Sequence, residues 1–348
     1  MTLVAVVGLF VVLIVAHELG HFITAKLTGV KVEEFGLGYP PRLLGLRRGE
    51  TIYSLNLLPL GGFVRLLGEE DPSYPRSLAS KSIKARLLVL SSGSLMNALL
   101  PLLLLTISFM IPRSVEMADV LIDQVAPGSP AALAELMPGD KVLRVSDQEV
   151  RSAADIIFQT RLHLGSPLSL LIERDGAQRT LSLVPRWMPP SGEGPLGVSL
   201  RSGERRVVRV SSPPWQAFGQ SVGNMWDTLR LYGNEIRGWL KGRAAPQVGG
   251  PIAIVQISTE VARLGPSPLF AFAALLSLNL AIINLLPVPG LDGGRLAFVI
   301  LEGVRGRRLS PTLERRFHIV GFLFLIVLIF LVSYFDLLRL LRNESLVP

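Results

Sequence analysis

The stretch "VAVVGLFVVLIVAHELGHFITAKL", Val4 to Leu27, decides how the chain is read. Val4 to Ala16 carries no ionisable side chain; then "HELGH", His17 to His21, sets two histidines and a glutamate close together. An uncharged run of this kind reads as a membrane span, because a bilayer core takes about 20 apolar residues in a helix. The run lacks the basic leader and small-residue cleavage site of a secretory signal, so a retained span is expected. Ionisable groups at that depth are costly and mark function.

On a helix His17 and His21 lie four apart, share one face and can hold one metal ion. Glu18 sits beside them, able to hydrogen-bond a water at that metal. This is the H-E-x-x-H arrangement of two zinc ligands and a general base. The competing reading is a polar cluster that only bridges helices.

Working outward, three more apolar runs, Leu87–Ile111, Leu269–Leu286 and Ile319–Ser333, bring the candidate spans to four in a chain of 348 residues. The expected class is a polytopic α-helical membrane protein. Cysteine is absent, which excludes disulfide and thiol chemistry. The formal net charge of +8 comes mostly from scattered arginines without interleaved aromatics, which speaks for anionic lipid and against nucleic acid. Lys and Arg crowd the loop from Lys26 to Arg86 and the loop carrying Arg295, Arg305, Arg307, Arg308, Arg315 and Arg316. Both should face the cytoplasm, and the long Pro112–Gly265 segment the opposite side.

That segment holds a soluble-looking module. "VLIDQV" reads as a strand, "PGSPAALAEL" as a turn and short helix, "PGDKVLRVSDQEV" as two short strands, "SAADIIFQTRL" as a helix. "PLSLLIERDGAQRTLSLVP" reads as a hairpin turning at Asp175-Gly176. The order resembles an α+β PDZ domain, which captures peptide ends at a sheet edge; a ligand-free β-rich spacer is the other reading. After a Pro/Gly-rich linker and a short basic stretch, Trp215, Phe218, Val222, Met225, Leu229, Ile236 and Trp239 recur at mostly three- and four-residue steps. They predict an amphipathic helix, lying either in the membrane interface or against the module. In the first loop, "TIYSLNLLPLGGFVRLLGEED" is too apolar for a solvated loop and too broken for a span; a hairpin dipping toward the bilayer would account for it.

Catalytic zinc usually takes three protein ligands. His163 falls in the module, and His318 beside Arg315 and Arg316 should be solvated. The better third ligand is Asp292 in "NLLPVPGLDGG", where prolines and glycines break an apolar span. A helix-capping Asp is the plainer alternative.

HELGH in a first span, a PDZ-like insert and N-x-x-P-x-P-x-L-D-G-G in a later span together resemble the site-2 protease family of intramembrane zinc metalloproteases. "FGLG" (Phe35–Gly38), "LPLGGFVRLLGE" (Leu58–Glu69) and "GGPIAI" (Gly249–Ile254) match it too, over essentially the whole chain. The resemblance implies that His17, His21 and Asp292 hold one Zn²⁺ per chain and that Glu18 is catalytic. It makes Asn284 and Pro287 parts of a substrate-contacting broken helix. Leu58–Glu69, with Gly61, Gly62 and Phe63, becomes a re-entrant β-hairpin that pairs with substrate. "SGSLMNAL" is similar to the family's G-P-x-x-N stretch, with Gly93 and Asn97 retained and Asn97 a further substrate contact. Ser94 departs from its proline, and Pro40 from a common glycine.

The expected organisation is spans one and two with the loop hairpin (1–114), the PDZ-like domain (115–188), linker and interface helices (189–265), and spans three and four (266–348). The expected function is zinc-dependent cleavage of single-span membrane proteins already trimmed by another protease. The expected site is a bacterial plasma membrane or a thylakoid or plastid membrane, with the PDZ-like domain outside the cytoplasm. The alternative is a non-catalytic PDZ-containing scaffold or chaperone. An ion transporter ranks last, since four spans without a repeat are few.

Overall fold

The computed structural model describes residues 2–69, 71–243, 250–308 and 310–342. In chain order its elements are α1 (Thr2–Leu27), β1 (Val32–Arg48), β2 (Thr51–Leu66), α2 (Ile83–Met110), β3 (Arg113–Val125), α3 (Pro130–Leu133), β4 (Lys141–Val145), β5 (Gln148–Glu149), α4 (Ala153–Leu162), β6 (Leu168–Arg174), β7 (Ala177–Leu183), β8 (Val198–Val210), α5 (Pro214–Leu240), α6 (Pro251–Arg263), α7 (Pro266–Leu285), α8 (Asp292–Arg305) and α9 (Pro311–Leu341). They gather into two compact units, Met1–Ser108 with Val248–Pro348, and Phe109–Gln247.

In the first unit, four helices are long and apolar enough to cross a membrane: Val4–Leu27, Ile83–Met110, Pro266–Leu285 and Thr312–Arg339. These are the four expected spans, and they fit a multi-pass membrane protein. Small residues set how closely the helices approach, as they do where apolar surface alone gives no drive to pack. A Cβ on Gly20 of α1 would run into the backbone of Ser92 on α2. The Ser277 hydroxyl of α7 donates to the Asn97 carbonyl of α2 at 2.8 Å, and Ser108 of α2 donates to the Ser267 carbonyl at 2.8 Å. Each hydroxyl thereby satisfies itself without water.

The loop between α1 and α2 is a sheet rather than a lone hairpin. Glu34 pairs with both Arg65 and Ile52, and Ile52 pairs also with Arg47. Each long strand is therefore bent back, giving four ranks in the order 62–66, 32–37, 51–56 and 42–48. The bends fall at Tyr39–Pro41, where proline has no N–H to give a ladder, and at Gly61, whose φ of +150° suits glycine. The strand part of Leu58–Glu69 is the outer rank of this sheet.

The second unit is a six-stranded sheet in the order β7-β6-β4-β3-β8, with β5 paired to β4. Val120, Ile122, Val145, Ile156, Leu168, Leu170 and Ile172 form its buried core. The predicted hairpin is β6–β7, with Asp175 and Gly176 both at positive φ. One expectation needs correction. The residues after 188 are not all linker and helix: Val198–Val210, read as a short basic stretch, is β8 and pairs along β3. Its arginines, Arg201, Arg205, Arg206 and Arg209, stay exposed on an edge strand, where charge discourages further strand pairing. Helix α5 divides its surface. Asn234 donates to the Leu162 carbonyl at 2.5 Å and Gly238 lies under Trp187, while Trp215 (74% exposed) and Trp226 (63%) stand free of the sheet.

Candidate metal centre

Helix α1 brings His17 and His21 onto one face, and their Nε2 atoms stand 3.3 Å apart. Asp292 Oδ2 lies 3.1 Å from each. A tetrahedral zinc with ligands at about 2.0–2.1 Å holds its donors about 3.3–3.4 Å apart. Three donors in a near-equilateral triangle of that edge fit three corners of such a site and leave the fourth open. Two neutral imidazoles and one carboxylate suit the ion's charge and softness.

Asp292 arrives from far along the chain because α7 stops at Leu285 and α8 restarts at Asp292. Side chains on Gly293 or Gly294 would collide with the carbonyls of Leu285, Leu286 and Val288, so the glycines permit the fold-back. The plainer reading of Asp292 as a cap does not describe its place: the N-cap is Leu291, and the Asp292 carboxylate meets both imidazoles.

The outer face of each ring is also occupied. His21 Nδ1 lies 2.8 Å from the Val89 carbonyl, a partner that fixes the proton on Nδ1 and leaves Nε2 free to ligate. Gly93 of α2 makes the approach feasible, since any Cβ there would meet the imidazoles of both histidines. Glu18 faces the outer rank of the loop sheet: the Gly62 Cβ position is 3.0 Å from its Cγ.

A cavity of about 640 Å³ opens on this cluster. Gly62 and Phe63 line it, and Gly61 lies against the ring of Tyr39, which stacks on Phe63 at 6.2 Å between centroids. Asn284, in the last turn of α7, and Pro287, in the break, do not line it; Asn97 is buried behind His17. His163 caps α4 in the other unit. His318 is not on a solvated face as expected; it lines the cavity and accepts from the Gly290 amide at 3.2 Å, because the chain break lays Gly290 against α9.

Arg295 and Tyr39 also line the cavity, and neither was expected at the site. Arg295 follows Asp292 by one helical turn, a spacing that could have flagged it, and pairs with Glu69 at 2.5 Å. Tyr39 carried no signal of its own. The "GGPIAI" stretch opens α6 from Gly250, with Gly249 outside the described residues.

The sequence profile of peptidase family M50 matches residues 5–328. A Clostridium perfringens protein named "Putative zinc metalloprotease CPE1693" is 34% identical over 94% of this chain and 96% of its own length. A Nostoc protein of the same designation is 33% identical over 95% of both. The Oceanobacillus iheyensis zinc metalloprotease RasP is 27% identical over 97% of this chain and 99% of its own length. A profile matching nearly end to end, over a donor set shaped for zinc, places this chain in peptidase family M50, the site-2 protease family, as a membrane-embedded zinc metalloprotease.

Proposed function

We propose that this metalloprotease is an intramembrane endopeptidase that cuts the transmembrane segments of single-span proteins already shortened by another protease. What carries the reading is the place of the donor triangle: His17 and His21 belong to a helix long and apolar enough to span, and Asp292 sits at a break between apolar helices. In this reading His17, His21 and Asp292 hold zinc and Glu18 is the general base. When bound, zinc polarises the scissile carbonyl and lowers the pKa of water at its open position toward ~7. The Glu18 carboxylate takes a proton from the attacking water and passes it to the leaving amine.

A helical substrate must unwind to be cut, and its freed backbone groups then need partners. The outer rank of the loop sheet, Gly62–Leu66, has no second strand beside it among the described residues. It offers an edge next to Glu18 for strand addition, with Gly61, Gly62 and Phe63 at the point of contact and Asn284 and Pro287 at the broken helix. Exposed leucines on the same sheet support its dipping into the bilayer. The sheet of the second unit is then a PDZ-like module outside the cytoplasm that binds or filters trimmed ends. The cell membrane is a bacterial plasma membrane or a thylakoid or plastid membrane. Glu18→Gln should slow cleavage of a reporter span by about 10²–10⁴-fold while zinc and fold are retained. Wild-type cleavage by that variant would end the proposal.

A further inference from the structure

We infer that Asn97 is a positioning residue for the metal centre: its side-chain carbonyl accepts the Nδ1–H of His17, and this contact turns the His17 Nε2 lone pair toward the metal. The inference rests on the zinc reading above. A histidine that ligates through Nε2 must carry its proton on Nδ1, and away from water that proton needs an acceptor. His21 has one that leaves no choice, the Val89 backbone carbonyl.

His17 depends on a side chain instead. The group at its Nδ1 is the Asn97 amide from α2, 3.4 Å away and 1% exposed. An amide offers either its carbonyl or its NH2, related by a half-turn of the terminal torsion. With the NH2 toward His17, Nδ1 would have to accept, the proton would sit on Nε2, and that nitrogen could not bind a metal. In that orientation Oδ1 of Asn97 is buried with no hydrogen-bond partner among the described residues. Turning the amide answers both needs: the orphan carbonyl gains a donor, and the Nδ1–H gains an acceptor.

The backbone is built to hold the amide there. The Asn97 carbonyl is pinned by Ser277 of α7, and Gly93, one turn earlier, lets α2 close onto the imidazoles. Asn97 also stands apart from the cavity lining. Its task is therefore the orientation of His17 rather than contact with substrate.

The test is zinc affinity, measured on full-length protein in detergent by competition with a chromophoric chelator. Asn97→Leu keeps the bulk and removes the acceptor; it should bind zinc about 10–100-fold more weakly than wild type. Asn97→Asp keeps an oxygen acceptor and should hold affinity to within a few-fold of wild type. Zinc binding by Asn97→Leu equal to wild type would overturn the inference, as would equal weakness of the Leu and Asp variants, which would point to packing alone. If Asn97→Leu fails to fold, Asn97→Asp still decides: a loss of tenfold or more in that variant contradicts an acceptor role. His17→Ala is the control for the underlying reading. Undiminished zinc binding there would sink the metal site itself, whereas lost binding there with normal Asn97→Leu would sink only the role given to Asn97.

Discussion

The two units solve burial in opposite ways. The first keeps its polar groups inside: His21, Asn97, Ser94 and Ser277 are buried, while Leu44, Leu46 and many α9 residues lie on its surface. The second keeps leucine, isoleucine and valine inside and turns its arginines outward along β8. Leu46 is 70% exposed, whereas Ile172 is wholly buried. An exposed leucine forgoes about 1.5–3 kcal/mol relative to a buried one in water, so a surface full of them suits a protein whose solvent is lipid. The inverted unit can then spend its interior on chemistry. Several of its buried polar groups find partners within the unit, as polar groups away from water require: His21 Nδ1 meets the Val89 carbonyl and the Ser277 hydroxyl meets the Asn97 carbonyl.

The severest way to break that contrast is to push an apolar side chain into the polar interior. Gly93→Val should force α2 off the two imidazoles, because even a Cβ at that position meets both rings. Zinc should fall from about one per chain to a small fraction, and reporter cleavage should vanish with it. Metal analysis of the purified variant checks this. A valine variant that keeps its zinc would mean that α2 does not close on His17 and His21.

The outer surface offers a gentler probe. Because the chain has no cysteine, single cysteines can carry a nitroxide label without further engineering. In vesicles, a label at Leu46 of the loop sheet should be several-fold more accessible to oxygen than to a water-soluble nickel chelate. A label at Gln178 on exposed β7 should show the reverse. Equal preference for the nickel chelate at both sites would remove the bilayer from the account of the loop sheet.

How much of this was legible in the sequence follows the same division. HELGH could be read because helical spacing alone puts His17 and His21 together, and Asp292 because the prolines before it announce a break in an apolar run. The β6–β7 hairpin was legible because Asp175-Gly176 is a local turn signal. Contacts across the chain were not. Nothing in the spacing links Asn97 or Gly93 to residues some 80 positions earlier. Tyr39 reaches the cavity only because β1 bends beside it. Strand β8 hid behind its arginines, since an exposed edge strand can form on a partner without an apolar pattern of its own, and β3 lies far upstream. The bent loop sheet was glimpsed as a hairpin because Pro and Gly marks show where strands stop, not which ranks they join.

The smallest expected effect concerns the one buried carboxylate that breaks the second unit's own rule. Asp140 is buried; Arg174 donates to it at 2.6 and 2.7 Å, and the Met137 amide at 2.8 Å. Burial pushes the Asp140 carboxyl up, but these bonds and the Arg174 charge prevail, so it titrates below its ordinary value. A carboxyl held low in the folded state contributes stability that is fully present above its unfolded pKa of about 3.9. That contribution is lost as pH falls through the folded value. Melting of the second unit, followed by hydrogen exchange in β4 and β6, should therefore weaken below about pH 4 in wild type. Asp140→Asn should melt a few degrees lower at neutral pH and show less further loss on acidification. Parallel acid profiles for the two proteins would mean that Asp140 contributes nothing to the pH dependence. In that case the polar interior of the second unit would be incidental, and the contrast with the metal-bearing unit sharper still.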